Sequence, residues 1–395
     1  MTILRYIVIG LTYIGLGLGY LPGLRMNRAT IALTGAILLM ALGLMDLKSA
    51  WIAIDYKTLI FLFGMMVISA NLSASGFFQL ALDYTTRFVR SPLGLLIVLT
   101  FGSGFLSALF LNDTIALILT PLVVGLTESL SLNPIPYLLA LAGATNLGSV
   151  ATLTGNPQNI LIGSFSGISY LEFAKALTPL ALASLLLQIA WLWWLYPEVR
   201  PLTATLNLNS QRYRIFKPLL TKSLLVTTGL FVAFLVGIPT AEATLIAAGI
   251  LLITRRLKPE RILGKVDWDL LVMFSGLFIL TEGVQKLGSL NWFSQFVHTP
   301  LSILGITTLL SNLVSNVPAV LLLHHLIPHP DTRTWLLLAA GSTLAGNLTL
   351  LGSVANLIVA EAVAKHGHQL TFWEHLRFGL PLTTMTLILT YFWIG

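Results

Sequence analysis

The two halves of the chain match each other in five segments that occur in the same order. Because internal repeats determine architecture before any single helix is assigned, this self-similarity limits the possible folds most strongly. It predicts a first repeat over residues 1–197, a linker over 198–217 and a second repeat over 218–395. The matching segments are 28–39 with 242–253, 54–67 with 266–279, 109–119 with 313–323, 143–162 with 341–360, and 169–180 with 371–382.

Composition places both repeats in a membrane. Hydrophobic residues make up 56% of the chain and charged residues 9%, whereas soluble domains carry about 25% charged residues. The absence of cysteine excludes disulfides and thiolate metal sites. The net charge of +7 is spread over connecting loops, without a basic stripe interleaved with aromatic residues, so we expect no nucleic-acid partner. We also expect no cofactor.

Each repeat is predicted to contain two helices, a third helix followed by an amphipathic stretch, a hairpin, a broken helix and a last helix. The arms of both hairpins are short for two full crossings, which favours re-entrant loops buried in protein. Each repeat then crosses the bilayer five times, and an odd number of crossings inverts the second copy. The predicted fold class is an all-α polytopic membrane protein with two inverted repeats, a pattern typical of transporters.

The basic residues give an independent test of this topology. An outside N-terminus places 16 of the 22 Lys and Arg residues on the inside. We therefore expect an integral protein of a bacterial plasma (inner) membrane, surrounded by lipid, with both termini outside.

An Asn-Asp-Thr triplet interrupts the apolar run of the first hairpin. Its Asp113 lies 23 residues after Arg90 and 15 before Glu128, so the carboxylate is expected near the middle of the bilayer. A charge there is costly unless it faces a cavity, a partner or an ion, which makes it a functional-site hypothesis. The alternative is an Asp that caps a helix at the membrane surface.

Four polar motifs are predicted at membrane depth, each as a helix stop and restart. Asn or Ser before a restart suggests an N-cap, and Pro157 and Pro318 fit the first helical turn. The freed carbonyl and amide oxygens suit Na⁺, and the helix N-termini suit an anion. The motifs are Asn112-Asp113-Thr114, 154–159, 315–318 and 352–356. The histidines at 324, 325 and 329 are read as a solvated outer loop rather than a metal site.

At these motifs the chain resembles the ion transporter superfamily, most closely its arsenite permease and citrate transporter-like group, which is related to the divalent anion/sodium symporters. The resemblance implies two hairpins that meet two broken helices at the bilayer centre, with substrate between the hairpin tips and coupling cations beside them. It also implies a homodimer. The implied substrate- and ion-binding residues are Asn112, Asp113, Thr114, Thr154, Gly155, Asn156, Asn159, Ser315, Asn316, Gly352, Ser353 and Asn356, with Na⁺ near Asn112, Asp113, Asn156, Asn316 and Asn356.

The sequence thus predicts a secondary active transporter, not an enzyme, for a small anion. That anion is an inorganic oxyanion such as arsenite or sulfate, or a carboxylate, and its movement is coupled to Na⁺ or H⁺. An Na⁺/H⁺ antiporter of the same fold that uses Asp113 is the main alternative. A channel and an intramembrane hydrolase are remote ones, because the chain shows no charged pore ring and no histidine in the predicted broken helices.

Overall fold

The protein is described from a computed structural model, which covers residues 1–86, 89–201, 215–254, 258–288, 296–327, 331–365, 367 and 369–395. These residues are helical without strands, and five helices are long and apolar enough to cross a membrane: α4, α6, α10, α11 and α14 in the numbering that follows. This confirms the all-α polytopic class. The α-helices are α1 Thr2–Leu18, α2 Arg28–Ala41, α3 Leu47–Ala53, α4 Tyr56–Ser75, α5 Phe77–Thr86, α6 Pro92–Leu109, α7 Asn112–Ser129, α8 Pro134–Ser149, α9 Pro157–Ser166, α10 Tyr170–Leu195, α11 Lys217–Val236, α12 Thr240–Leu252, α13 Pro259–Leu263, α14 Trp268–Lys286, α15 Pro300–Val314, α16 Asn316–Leu326, α17 Thr332–Leu344, α18 Val354–Lys365 and α19 Phe372–Ile394.

The helices pack into two groups. In the frame group, α1–α4 and α11–α14, helix α2 packs on α14 and α4 packs on α12. In the core group, α6–α10 and α15–α19, helix α8 packs on α6 and α7, and α17 packs on α15 and α19. Small residues allow these close approaches: a Cβ on Gly276 of α14 would lie 2.7 Å from the backbone of Ala32 in α2. Such packing between small residues is typical of membrane helices.

Two helix pairs meet two interrupted helices inside the core group. Phe110 and Leu111 connect α6 to α7, and Ser315 alone connects α15 to α16. Helix α8 ends at Ser149 and α9 begins at Pro157, while α17 ends at Leu344 and α18 begins at Val354 after two short 3-10 turns. The pairs cross over between repeats, because α7 contacts α18 and α16 contacts α9.

The helix starts partly follow the prediction. Asn156 is an N-cap, since its side chain accepts a hydrogen bond from the Asn159 N–H at 2.8 Å and Pro157 follows. The N-cap prediction is wrong for Asn112, which is the first residue of α7 and donates its backbone N–H to the Gly155 carbonyl at 2.9 Å. Ser315 precedes α16 but makes no capping hydrogen bond with its side chain. The backbones at the tips of the two helix pairs, where α6 connects to α7 and α15 to α16, are therefore held by tertiary contacts and by the geometry of the short connections.

Several expectations fall on the segments around these groups. The amphipathic stretch 73–91 forms the end of α4 and then α5, whose Phe78 is buried. Most of the linker 198–217, the stretch 289–295 of the second amphipathic segment, and the histidine at 329 lie outside the described residues.

Candidate functional site

A cavity of about 930 Å³ lies where the two hairpin connections face the start of α18. Its wall brings together residues that are about 200 positions apart in sequence, as the repeat predicts. The predicted site residues that line it are Asn112, Asp113, Thr114, Ser315, Asn316, Gly352 and Ser353. Thr154, Gly155, Asn156, Asn159 and Asn356 do not line the cavity. Of the first interrupted helix, Pro157 and Gln158 line it instead.

Three polar oxygens in this wall are buried and have no hydrogen-bond partner among the residues that the structure describes. They are Oδ1 of Asn112, Oδ1 of Asn316 and Oγ of Ser69, contributed by α7, α16 and α4. Buried polar atoms without partners are rare and costly in folded proteins, so each such atom requires an explanation. Three of them on one cavity wall fit a site whose occupant supplies the missing partner, either a cation or a solute with hydroxyl groups.

The Asp113 carboxylate lies between the starts of two helices. It is in the first turn of α7 and accepts a hydrogen bond from the backbone N–H of Ala355 in the first turn of α18. Helix N-termini carry partial positive charge and favour an anion in this position. Among nearby side chains, Arg28 attracts the carboxylate and Asp267 repels it. Asp113 thus contacts a helix start, as its surface-capping alternative required, while it also lines the cavity.

A chain of buried amide side chains runs from the Asn112 tip to the second interrupted helix. Asn112 Nδ2 donates to Asn146 Oδ1 at 3.2 Å, and Asn146 Nδ2 donates to Asn347 Oδ1 at 2.7 Å. Ser353 Oγ donates to the same Asn146 oxygen at 3.0 Å. These contacts connect the first hairpin to the second interrupted helix through Asn146.

Asn159 and Asn356 support the two helix breaks in the same way. Asn159 Nδ2 donates to the carbonyls of Ser149 and Thr152, at 3.0 and 2.9 Å. Asn356 Nδ2 donates to the carbonyls of Gly346 and Thr349, at 2.8 and 3.1 Å. Each pair of partners is offset by 197 residues between the repeats. Because the end of a helix leaves carbonyls unpaired, both side chains satisfy the polar groups that the interruption exposes.

The other predicted residues of the first break also form internal contacts. Asn156 Nδ2 donates to Ser149 Oγ at 3.0 Å and to Thr343 Oγ1 at 3.2 Å. Thr154 Oγ1 lies 3.1 Å from the Ala108 carbonyl, to which it donates. Gly155 packs directly against the backbone of Ser149, where a Cβ has no room. These residues shape the wall from behind, and their predicted role in binding stays a prediction.

Sequence reasoning missed several residues of the site. Arg28 and Lys265 line the cavity, and burial, together with the charge of Arg261, lowers the pKa of Lys265 in the loop before α14. His375 of α19 does not line the cavity but is fully buried behind it, with Nε2 3.2 Å from the Asn347 carbonyl oxygen and 3.4 Å from Asn356 Nδ2. The signal for Arg28 was available, because it opens the first repeat segment at a position where the second repeat has Glu242.

Comparison with known proteins identifies the family of the chain. The sequence profile of a family described as citrate transporter matches residues 14–334. The chain belongs to the citrate transporter family. It is 33% identical to a silicon efflux transporter of Oryza sativa subsp. japonica, over 92% of this chain and 91% of that protein.

Two further relatives are similar over most of their length. An uncharacterized transporter of Mycobacterium tuberculosis is 30% identical over 94% of each chain. A Dictyostelium discoideum protein that carries the transporter name arsB is 26% identical, over 93% of this chain and 87% of that protein. The chain is therefore a membrane transporter and not an enzyme, which excludes the hydrolase alternative.

Proposed function

We propose that the chain is a secondary active transporter that moves a small anion together with, or in exchange for, Na⁺ or H⁺. The anion is an inorganic oxyanion or a carboxylate. The observation that carries the proposal is the cavity at the hairpin connections, where the Asp113 carboxylate and the unpartnered oxygens of Asn112, Asn316 and Ser69 line one wall. A carboxylate together with neutral oxygens can coordinate Na⁺, and the carboxylate can instead bind a proton. The relatives named for silicon and for arsB favour an oxyanion or its undissociated acid as the solute.

The proposal includes two inverted repeats with re-entrant hairpins. It is supported by the contacts between helices. Helix α2 corresponds to α12 in the other repeat, and α4 corresponds to α14. Replacing each helix by its counterpart turns the contact of α2 with α14 into the contact of α12 with α4, and both contacts are present. The contacts of α7 with α18 and of α16 with α9 interchange in the same way. A two-fold relation between repeats places both tips at one depth and lets the core group move against the frame group.

The proposed setting is a bacterial inner membrane, with both termini outside and two copies in a homodimer. The charge distribution supports the orientation, because 16 of 22 basic residues fall on the inside. The cavity is lined by Tyr20, Asn27 and Lys265, which belong to loops on that side, so it is proposed to open inward. The homodimer follows from the resemblance.

The test is solute uptake into proteoliposomes. Arsenite, silicic acid, sulfate, phosphate, succinate and citrate are offered under an imposed Na⁺ gradient or an imposed proton gradient, and internal pH is recorded. The proposal expects one solute to accumulate under one gradient and Asp113→Asn to abolish that accumulation. Glu128→Gln is the matched control, because Glu128 is an exposed carboxylate at the other end of α7.

The Na⁺/H⁺ antiporter remains a second candidate, favoured by the carboxylate in the first turn of α7. It expects Na⁺ to change internal pH through Asp113 with no anion present. If neither solute uptake nor Na⁺-dependent pH change occurs in vesicles that contain folded protein, both candidates are refuted.

A further inference from the structure

One pair of opposite charges spans the boundary between the two helix groups. Arg28 is the first residue of α2 in the frame group, and Asp113 is in the first turn of α7 in the core group. Both line the cavity and attract each other. They do not form a contact ion pair within 4.0 Å, unlike Lys286 and Glu282 at 3.7 Å in the described part of the chain. Space therefore remains beside the carboxylate.

The Arg28 side chain is held at its stem and keeps donors available. Its Nε donates to the Leu16 carbonyl in the last turn of α1 at 3.2 Å. The guanidinium passes across Gly19, where an added Cβ would lie 3.6 Å from Nε. A guanidinium has five N–H donors in a fixed fork, and the described residues provide a partner for Nε alone. The anchor at Nε fixes the direction of the other guanidinium N–H groups, and these remain available as donors.

The pair is absent from the second repeat. Glu242 stands at the position that corresponds to Arg28, and Val317 stands at the position that corresponds to Asp113. The fold of a repeat therefore forms without this pair, although both repeats keep the hairpin and the interrupted helix. Both side chains are half-buried. Because even partial burial of two charges is costly, a charge pair that the fold does not require has another purpose.

We propose that Arg28 is an anchored cation that neutralises the Asp113 carboxylate and competes electrostatically with the coupling cation for it. This inference rests on the proposed function and assigns Arg28 to its coupling step. Arg28 attracts the core group toward the frame group only while Asp113 is charged. A bound Na⁺ cancels the attraction, so the core group is released to move when it is loaded.

The competition follows from charge. Na⁺ at Asp113 lies close to a guanidinium of the same sign, and like charges in a site of low dielectric repel strongly. Removing the guanidinium therefore strengthens binding of the coupling cation instead of weakening it. An Arg28 that served as a direct ligand of an anionic solute would have the opposite signature, because its loss would weaken solute binding. The other ionisable groups of the cavity wall are Tyr20, Lys265, Asp267 and Asp269.

The test uses cation binding and does not depend on transport. The chain has no cysteine, so Leu117→Cys on the cavity wall, one turn from Asp113, is a unique reporter for maleimide labelling. Its labelling rate is titrated with Na⁺ at fixed pH. Arg28→Gln is expected to lower the Na⁺ midpoint by about tenfold. Arg28→Lys retains the charge and should shift it less.

Two controls isolate the pair. Arg25→Gln removes the same charge from an exposed position three residues away and should leave the midpoint unchanged. In an Asp113→Asn background, Arg28→Gln should also have no effect, because the partner carboxylate is gone. Folding of each variant is checked by gel filtration and thermal unfolding.

The outcomes separate this inference from the proposed function. A flat titration in the Leu117→Cys protein, an unchanged midpoint in Arg28→Gln, or an equal shift in Arg25→Gln overturns the inference. So does an increased solute KM in Arg28→Gln with an unchanged cation midpoint, which would make Arg28 an anion ligand. If liposomes containing the wild-type protein move no solute while Arg28→Gln still shifts the midpoint, the proposed function fails and the Arg28 competition stands.

Discussion

At the scale of single residues, Ser315 has the most constrained backbone of the site. Its φ of 81° and ψ of 157° lie in a region that glycine adopts and other residues avoid. Ser315→Gly is expected to raise the free energy of unfolding by about 1–3 kcal/mol, because it relieves this strain. Thermal unfolding in detergent measures the change. Ser311→Gly, in the helical turn before it, should destabilise the protein by about 1 kcal/mol, and equal effects at both positions would contradict the strain.

The single residues also mark where prediction from the sequence succeeded. Asp113 and Asn316 were found because polar side chains interrupt apolar runs at matching positions of the two repeats. Arg28 was missed because it stands at the end of a helix next to a basic loop, where an arginine usually faces water. Only the folded chain brings it to α7, 85 positions away. His375 was missed because its contact with the second interrupted helix is made through Asn356, and no residue near His375 in the sequence indicates that contact.

At the scale of elements, the two interrupted helices depend on one asparagine each. Asn159→Ala and Asn356→Ala should each lower the free energy of unfolding by about 2 kcal/mol, because each substitution removes two hydrogen bonds to backbone carbonyls at a helix break. Thermal unfolding of the purified variants measures this. Asn133→Ala removes an exposed N-cap of α8 and should cost about 1 kcal/mol. A small effect at either Asn159 or Asn356 would indicate that its break is held by other contacts.

Helix packing in the frame group gives a second prediction at this scale. Gly276→Leu should prevent α14 from packing on α2, because a Cβ at this position already lies 2.7 Å from the Ala32 backbone. We expect loss of the monodisperse peak in gel filtration. Gly249→Leu in α12 is the matched control, since a Cβ there meets no atom within 4 Å. Aggregation of the Gly249 variant alone would refute the assigned packing.

The interrupted helices and hairpins were predictable as elements, because proline, glycine and asparagine occur together inside apolar segments. Their exact boundaries were not. Asn112 was expected before the start of α7 and is its first residue, because its N–H is bonded to Gly155 from another element. Likewise, the sequence indicated that residues 154–159 would bind a solute, whereas their side chains mainly contact Ser149, Thr343 and Ala108. Contacts between elements decide which polar group faces a cavity.

At the scale of the whole molecule, the topology and the cavity make one joint prediction. If the cavity opens inward and α3 lies outside, cysteines placed at Arg25 and Lys48 must label from opposite sides of the membrane. Both residues are exposed, and Arg25 follows α1 on the cavity side whereas Lys48 is in α3. A membrane-impermeant maleimide should label Lys48→Cys in intact spheroplasts and Arg25→Cys in inverted vesicles. The cavity reporter Leu117→Cys should follow Arg25→Cys, because its wall includes Tyr20 and Asn27 of the same loop. Labelling of Leu117→Cys with Lys48→Cys would reverse the opening, and labelling of all three from one side would refute the crossing of the membrane by α2 between Arg25 and Lys48.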